Sequence, residues 1–157
     1  MKKAVILDNV RSVMNVGSIF RTANALKIEK IYLCGITPTP LDKYGNPRND
    51  FLKVALGAEK TVKWEYVENT KELLKKLRKD GYYVIAIEQN EKAVEYKKIN
   101  IEKEKSVAFL VGAEVEGLSK EVLGEASVIA EIPMLGTKES LNVTIAFAVA
   151  TYRILGV

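Results

Sequence analysis

Three segments rich in polar residues and glycine are candidates for binding a small molecule, because each follows an apolar run. They are residues 88–90, 112–117 and 132–142. If the apolar runs are parallel strands, all three segments lie beyond the carboxyl ends of the strands, where open α/β sheets bind their ligands. The sequence therefore predicts one small-molecule site built from these loops.

The segment at residues 112–117, GAEVEG, shares only its two glycines with a phosphate-binding P-loop. The Lys-Ser/Thr pair that follows the second glycine of a P-loop is missing, and the sequence has no GxGxxG pattern. Glu114 and Glu116 would repel a phosphate. An acidic loop shaped by glycine favours a neutral or cationic ligand with hydroxyl groups. The alternative is that Gly112 and Gly117 only allow a tight turn.

The absence of histidine limits the chemistry that this chain can perform. It excludes Ser-His-Asp and Cys-His catalysis and the common histidine metal sites, and no metal is expected. The single cysteine, Cys34, cannot form an internal disulfide, which fits a reducing cytoplasm. Acid–base chemistry must therefore use carboxylates, lysine, tyrosine, cysteine or a less usual group.

The composition is that of an ordinary globular protein. The chain has 157 residues, of which 48% are hydrophobic and 28% charged, and neither a repeat nor a linker divides it. We therefore expect a single domain over residues 1–157. No apolar run approaches the roughly 18 residues of a membrane span, so no membrane partner is expected. The net charge of +4 suits a nucleic-acid partner only weakly, since lysines on solvated helix faces supply much of it.

Short β-branched runs alternate with helical patterns along the chain. The first strand, helix and second strand fall within about 35 residues, which indicates a βαβ unit with parallel strands. We predict a helix that begins between Asn15 and Ser18, with one of these two residues as its N-cap. The whole pattern predicts an α/β fold with about six mostly parallel strands and helices on both faces. The predicted strands cover residues 3–8, 30–34, 61–66, 82–87, 106–111 and 127–132.

Residues 36–50 form a long loop with three prolines. Loops of this length in compact domains are usually functional or disordered. Lys43, Tyr44 and Arg48 make the loop basic and give it an aromatic side chain, which is compatible with contact to RNA. A plain mobile loop is the alternative.

The last helical segment, residues 143–155, reads VTIAFAVATYRIL and is apolar on nearly every face. A helix of this kind is expected to have protein on most sides. The polar loop at residues 132–142 leads directly into it, and the free backbone N–H groups at a helix N-terminus suit a small-molecule site. The alternative is an ordinary core helix preceded by a turn.

Three motifs in order resemble the SpoU (TrmH-type) RNA 2′-O-ribose methyltransferases of the SPOUT superfamily. NVGSIFRTA at residues 15–23 resembles the first motif of that family, VGAEVEGLS at 111–119 the second, and IPMLGTKESLNV at 132–143 the third. Ala113 departs mildly from the second motif, which usually has Asn or Pro there. Because the three motifs span nearly the whole chain in the right order, the resemblance is specific.

The resemblance implies methyl transfer from S-adenosylmethionine to a ribose 2′-hydroxyl of tRNA or rRNA, by a cytoplasmic homodimer with a C-terminal trefoil knot. It implies that Arg21 fixes the phosphate beside the target ribose and could assist proton removal. The implied catalytic positions are Arg21, Asn15, Asn142, Glu114 and Ser140. The implied cofactor-binding positions are Ile87, Gly112, Ile132, Met134, Ser140 and Leu141.

Two other functions stay open at this point. One is a catalytically inactive RNA-binding module of the same fold, which the presence of Arg21, Asn15 and Asn142 disfavours. The other is a flavodoxin-like nucleotide- or flavin-binding domain, which strand order alone would permit but which would need a phosphate loop. Larger family members carry RNA-binding extensions, and we expect none in this sequence. The sequence therefore leaves the substrate RNA undecided.

Overall fold

A computed structural model describes residues 1–157 as one seven-stranded sheet flanked by helices. The strand order is β3-β2-β1-β6-β4-β7-β5, and every neighbouring pair is parallel. This confirms the predicted α/β class and the parallel sheet. The strands are β1 (Lys2–Asp8), β2 (Lys30–Cys34), β3 (Lys63–Val67), β4 (Tyr83–Ile87), β5 (Val94–Glu95), β6 (Ser106–Val111) and β7 (Val128–Glu131).

The prediction of about six strands did not include β5. Strand β5 has two residues and pairs with β7 at the edge of the sheet. Two residues carry no hydrophobic alternation, so no sequence pattern could reveal this strand. The third predicted strand also began too early, because Thr61 ends a short helix and β3 starts at Lys63.

Six α-helices lie on the two faces of the sheet. They are α1 (Val13–Ala25), α2 (Asn49–Ala55), α3 (Ala58–Thr61), α4 (Thr70–Lys79), α5 (Lys120–Leu123) and α6 (Val143–Leu155). Alternate residues of each strand point to opposite faces, as the pleat requires. Val5 and Leu7 of β1 therefore pack with α1, α2 and α6, whereas Ala4 and Ile6 pack with α4 and α5. None of the helices combines the length and the apolarity that crossing a bilayer requires.

Helices α1 and α2 pack closely, and this fixes the orientation of the first motif. The rings of Phe20 and Phe51 meet edge to face with their centroids 5.3 Å apart. A Cβ atom on Gly17 would lie 2.9 Å from Cβ of Val54, closer than such atoms can approach. The glycine of the first motif therefore serves helix packing, because only its missing side chain lets α2 approach this closely.

The start of α1 differs from the prediction. The helix begins at Val13 with Ser12 as its N-cap, and Ser12 Oγ accepts a hydrogen bond of 3.2 Å from the N–H of Asn15. Neither Asn15 nor Ser18 caps the helix. Because Ser12 satisfies the first turn, the side chain of Asn15 is available for other contacts.

Helix α6 is half exposed in the single chain, whereas the sequence predicted protein on most of its sides. Phe147, Ala150 and Ile154 are buried against the sheet. Ile145, Val149 and Tyr152 are 51%, 38% and 39% exposed and follow one another at helical spacing on the opposite face. The sequence correctly identified an apolar surface on every side of α6, but the single chain covers only one side of it. The trefoil knot implied by the resemblance stays a prediction.

Candidate active site

A cavity lies at the carboxyl edge of the sheet, between the loops that follow β4, β6 and β7. The start of α6 closes one side. Ten of its seventeen lining residues are hydrophobic, and the other seven are polar residues or glycines. The lining residues are Ile87, Glu88, Gln89, Val111, Gly112, Ala113, Glu114, Val115, Gly117, Ala130, Ile132, Met134, Ser140, Leu141, Asn142, Val143 and Ala146.

The structure brings together all the positions that the resemblance assigns to cofactor binding. Those six residues line this one cavity: Ile87, Gly112, Ile132, Met134, Ser140 and Leu141. Gly112 lies in the second of the segments that the sequence singled out and four of the positions lie in the third, whereas Ile87 is the last residue of β4, directly before the first segment. Their roles toward a ligand remain a prediction.

The loop after β6 makes a tight turn around its two glycines. The N–H of Gly117 donates to the carbonyl of Ala113 at 2.9 Å, and Gly117 has a φ of +66°. A Cβ atom on Gly112 would lie 2.8 Å from the carbonyl carbon of Gly117 and from the side chain of Leu118. The turn therefore requires both glycines, as the alternative in the sequence analysis held. The same turn also forms a wall of the cavity.

The loop at residues 132–142 leaves its backbone free for a ligand. No N–H group of this loop donates a hydrogen bond to another backbone carbonyl. Buried or ligand-facing N–H groups normally find a partner, and here water or a bound molecule must supply it. A loop that carries free donors and contributes to a cavity wall is suited to a planar, hydrogen-bonding ligand.

Glu114 connects the loop after β6 to the start of α1. Its carboxylate accepts hydrogen bonds from the N–H groups of Arg11 and Ser12, each at 3.1 Å, and from Nδ2 of Asn15 at 3.0 Å. Partial burial alone would raise the pKa of Glu114, but these hydrogen bonds together outweigh it and hold the pKa below its usual range. Glu114 is therefore a carboxylate at neutral pH and acts as an acceptor.

Asn142 extends this network to α6. Its Nδ2 donates to Oδ1 of Asn15 at 3.4 Å, a long hydrogen bond. Its Oδ1 accepts from the N–H of Thr144 at 2.8 Å and from the Thr144 hydroxyl at 2.6 Å, so Asn142 is also the N-cap of α6. Asn15, Glu114 and Asn142 come from the three separate motifs and meet at the rim of the cavity.

Residues 2–152 match the profile of the SpoU rRNA Methylase family. The chain belongs to this family. It is 27% identical over 150 residues to a tRNA (guanosine(18)-2′-O)-methyltransferase of Borreliella burgdorferi. That alignment covers 96% of this chain and 64% of the relative. It is 28% identical over 149 residues to a 23S rRNA (guanosine-2′-O-)-methyltransferase of Bordetella pertussis. That alignment covers 95% of this chain and 57% of the relative.

A solved structure shares the fold across nearly the whole chain. It is an AdoMet-bound rRNA methyltransferase from Sinorhizobium meliloti, which superposes with a TM-score of 0.87 at 29% identity. The superposition covers 98% of this chain and 55% of the Sinorhizobium meliloti chain. The SpoU-family chain thus spans only 55% to 64% of the lengths of these three relatives. These comparisons confirm the family that the three motifs indicated.

Arg21 of this SpoU-family chain is not part of the cavity wall. It lies six residues after Asn15 on α1, about 9 Å along the axis and about 120° around it. Its side chain is exposed and makes no ion pair within the chain. Arg21 shares its face of α1 with Met14, another exposed side chain. The structure therefore brings together four of the five predicted catalytic positions, which are Asn15, Glu114, Ser140 and Asn142, and leaves Arg21 on the outer surface.

Two features of the SpoU-family chain are informative beyond the predicted residues. Burial raises the pKa of the Cys34 thiol to about 12, so this cysteine stays protonated and is no nucleophile. Glu88, which the sequence placed in a candidate ligand-binding loop without assigning it a role, lines the cavity and accepts a hydrogen bond from the N–H of Leu118 in the loop after β6. The only signal for Glu88 was its position directly after a strand that ends at the ligand-binding edge.

Proposed function

We propose that this protein transfers a methyl group from S-adenosylmethionine to a ribose 2′-hydroxyl of a tRNA or rRNA. The observation that carries the proposal is the hydrogen-bonded set Asn15, Glu114 and Asn142, which joins the first motif to a cavity lined by residues of the second and third motifs. The relatives described above are named as tRNA and rRNA 2′-O-methyltransferases, and one solved relative contains AdoMet.

The residues present fit S-adenosylmethionine, which supplies a methyl group on a positively charged sulfonium when it is bound. Ile87, Ile132 and Leu141 give the cavity apolar surfaces suited to an adenine ring. The free N–H groups of residues 132–142 suit the ring nitrogens and the ribose hydroxyls. Glu114 places negative charge near the cavity, which favours a cation and disfavours a phosphate-bearing cofactor.

Arg21 is proposed to bind the RNA phosphate next to the target ribose. A guanidinium offers a planar set of donors that matches phosphate oxygens, and the exposed, unpaired side chain is available for it. A guanidinium offers only hydrogen-bond donors and no acceptor, so it acts first by positioning the ribose rather than by taking its proton. The side-chain amides of Asn15 and Asn142 are proposed to orient the hydroxyl, with Ser140 beside them on the cavity wall.

We also propose that two copies associate through α6 and the adjoining face of α1. The exposed apolar side chains Ile145, Val149 and Tyr152 form a stripe on α6, and α1 presents Met14. Contiguous exposed apolar surface on a small protein usually marks an interaction site, and a twofold dimer is the commonest closed assembly. Association through α1 would bring Arg21 of one copy toward the other copy. An RNA-modifying role agrees with the cytoplasmic location expected from the sequence.

The test begins with the donor and then asks for transfer. Calorimetric titration of S-adenosylmethionine and S-adenosylhomocysteine should give micromolar binding at one site per chain. Incubation with methyl-labelled donor should then label tRNA or rRNA transcripts, and the modified linkage should resist alkaline cleavage because its 2′-oxygen is blocked. Binding of RNA without binding of either donor form would instead favour the inactive RNA-binding module.

A further inference from the structure

The carboxylate of Glu88 joins two of the three loops around the cavity. Glu88 is the first residue after β4, and its Oε2 accepts a hydrogen bond of 3.0 Å from the N–H of Leu118. Its Oε1 accepts one of 2.9 Å from the N–H of Gln89, the next residue in its own loop. One side chain therefore fixes the loop after β4 and the end of the turn after β6.

The turn after β6 is shaped around this carboxylate. A Cβ atom on Gly117 would lie 2.5 Å from Oε2 of Glu88, which is far inside contact distance. Gly117 also has a φ of +66°, which glycine adopts without strain. The missing side chain and the positive φ of Gly117 allow the N–H of the next residue, Leu118, to donate to the carboxylate of Glu88.

Two carboxylates thus hold the turn at residues 112–118 from two sides. Glu114 lies within the turn and bonds outward to Arg11, Ser12 and Asn15 at the start of α1. Glu88 lies outside the turn and bonds inward to Leu118. Hydrogen bonds to an ionised acceptor are the stronger kind, so each contact restricts the turn more than a neutral partner would. Gly112, at the start of the turn, is a cavity-lining position of the second motif.

We propose that Glu88 is a positioning residue for the methyl donor, which acts by holding the turn at residues 112–118 in the shape that receives it. The inference rests on the proposed function, since it takes S-adenosylmethionine as the ligand. Glu88 acts here through the backbone of Leu118 and Gly117, not as a counter-charge to the sulfonium. Its removal should therefore weaken the binding of the sulfonium donor and of its thioether product to the same extent.

The experiment compares Glu88→Ala, Glu88→Gln and the control Glu91→Ala in the full chain. Glu91 is exposed on the same loop and neither lines the cavity nor bonds to the turn. Calorimetry measures the Kd of S-adenosylmethionine and of S-adenosylhomocysteine, and labelled-methyl assays measure KM and kcat. Loss of one charge-assisted hydrogen bond corresponds to about a tenfold rise in Kd for both ligands in Glu88→Ala.

The glutamine variant separates positioning from charge. Its single side-chain oxygen can replace one of the two acceptors of Glu88, so about a threefold rise in Kd is expected, between wild type and alanine. The kcat at saturating donor should stay within about twofold of wild type in both variants, because Glu88 does not touch the reacting atoms in this proposal. A rise in Kd confined to S-adenosylmethionine would overturn the proposal, since it would make Glu88 a counter-charge.

A ligand-free measurement keeps the inference distinct from the proposed function. Amide hydrogen exchange at Leu118 should be faster in Glu88→Ala than in wild type and unchanged in Glu91→Ala, because only the first loses the acceptor. If wild type binds neither ligand, the proposed function fails even where the exchange difference is present. If wild type binds and Glu88→Ala binds equally well, the positioning role alone is overturned.

A double-mutant cycle adds a second check on the same contact. Gly117→Ala in the wild-type background places Cβ against the carboxylate of Glu88 and should raise Kd. In the Glu88→Ala background that collision is absent, so the further rise should be smaller, and the two effects should be non-additive. Strictly additive effects would show that Glu88 and Gly117 act independently and would overturn the proposed mechanism.

Discussion

Nδ2 of Asn15 donates a hydrogen bond of 3.0 Å to Oε1 of Glu114, across 99 residues of sequence. This contact joins α1, which carries Arg21, to the loop after β6, which forms a wall of the cavity. Ser12 makes the contact feasible, because it caps the helix and leaves the Asn15 side chain free. The helix that carries the proposed phosphate-binding arginine is therefore held in a fixed relation to the cavity.

Glu114 predicts a specific dependence of stability on pH. Its pKa is lower in the folded chain than in the unfolded chain, so its contribution is present above its ordinary pKa and is lost as the pH falls through the folded value. The side chain is exposed, so solvent screening limits the contribution to about 0.5 kcal/mol. In Glu114→Gln, chemical denaturation between about pH 3 and pH 7 should show a flatter acid limb than wild type. Identical pH profiles for the two proteins would contradict this.

Arg21→Ala should abolish methyl transfer and leave donor binding nearly intact. The side chain is exposed, and the cavity does not include it. We expect kcat/KM to fall by about 100-fold or more, the loss typical of an electrostatic contact to the reacting region. Labelled-methyl transfer measures the first effect and calorimetry with S-adenosylhomocysteine the second. Arg21→Lys, which keeps the charge but not the planar donor set, should recover only part of the activity. A loss of donor binding together with transfer would contradict the role assigned to Arg21.

Gly17→Ala should destabilise the protein, although alanine favours a helix over glycine by about 1 kcal/mol. The added Cβ would meet Val54 at 2.9 Å and the backbone nitrogen of Ala55 at 3.3 Å, and two packed helices cannot easily separate. Overpacking of this kind typically costs about 1–3 kcal/mol. The free energy of unfolding from urea denaturation should therefore fall by about 1 kcal/mol or more. Gly136→Ala is the matched control, since no atom lies within 4 Å of that Cβ, and its effect should stay within about 0.5 kcal/mol.

Much of the fold followed from local pattern, and the misses have local causes. Strand β6 is buried at all six positions, and its continuous apolar run identified it as a central parallel strand. Strand β5 was missed because pairing with β7 defines it, and two residues carry no pattern of their own. The cap of α1 was misplaced because Ser12, Asn15 and Ser18 are all good N-caps, and only tertiary contacts choose among them.

The site was predictable as a set of loops but not as a set of contacts. The three loops could be located because each follows a strand at one edge, and the family resemblance then gave the lining positions. The contact of Glu88 with the turn after β6 could not be predicted, since it joins the carboxylate to an N–H group 30 residues away. The exposure of α6 was also unpredictable, because apolarity on every face does not say whether the chain itself or a second copy covers it.

Val149→Glu should separate the proposed dimer into monomers. Val149 lies in the middle of the exposed stripe of α6, between Ile145 and Tyr152. A carboxylate buried there without a partner would cost several kcal/mol, so the dimer dissociation constant should rise about 100-fold or more. Sedimentation velocity across a range of concentrations measures the change. Leu56→Glu is the control, because Leu56 is also an exposed apolar side chain but lies at the C-terminus of α2. A wild-type protein that is monomeric and fully active at nanomolar concentration would exclude the dimer.

The loop at residues 36–50 is expected to contribute to RNA affinity. Asp42 Oδ1 accepts hydrogen bonds from the N–H groups of Tyr44 and Asn46 at 2.8 and 2.9 Å, so the tip of the loop has a defined turn. Tyr44 is 77% exposed there, and Nζ of Lys43 lies 5.0 Å from the centre of its ring. An aromatic face beside a cation is suited to an unpaired base next to a phosphate.

Tyr44→Ala should therefore weaken RNA binding at least fivefold, the lower end of the loss expected for one stacked base. Lys43→Ala should weaken it less and should reduce the slope of log affinity against log salt by about 1, because one phosphate contact is removed. Fluorescence anisotropy with labelled RNA at several salt concentrations measures both effects. Lys79→Ala, an exposed lysine at the end of α4, is the charge-matched control and should change neither the affinity nor the slope by as much. Equal effects of Lys43→Ala and Lys79→Ala would mean that the loop contributes only diffuse charge, and an unchanged affinity in Tyr44→Ala would exclude stacking at its tip.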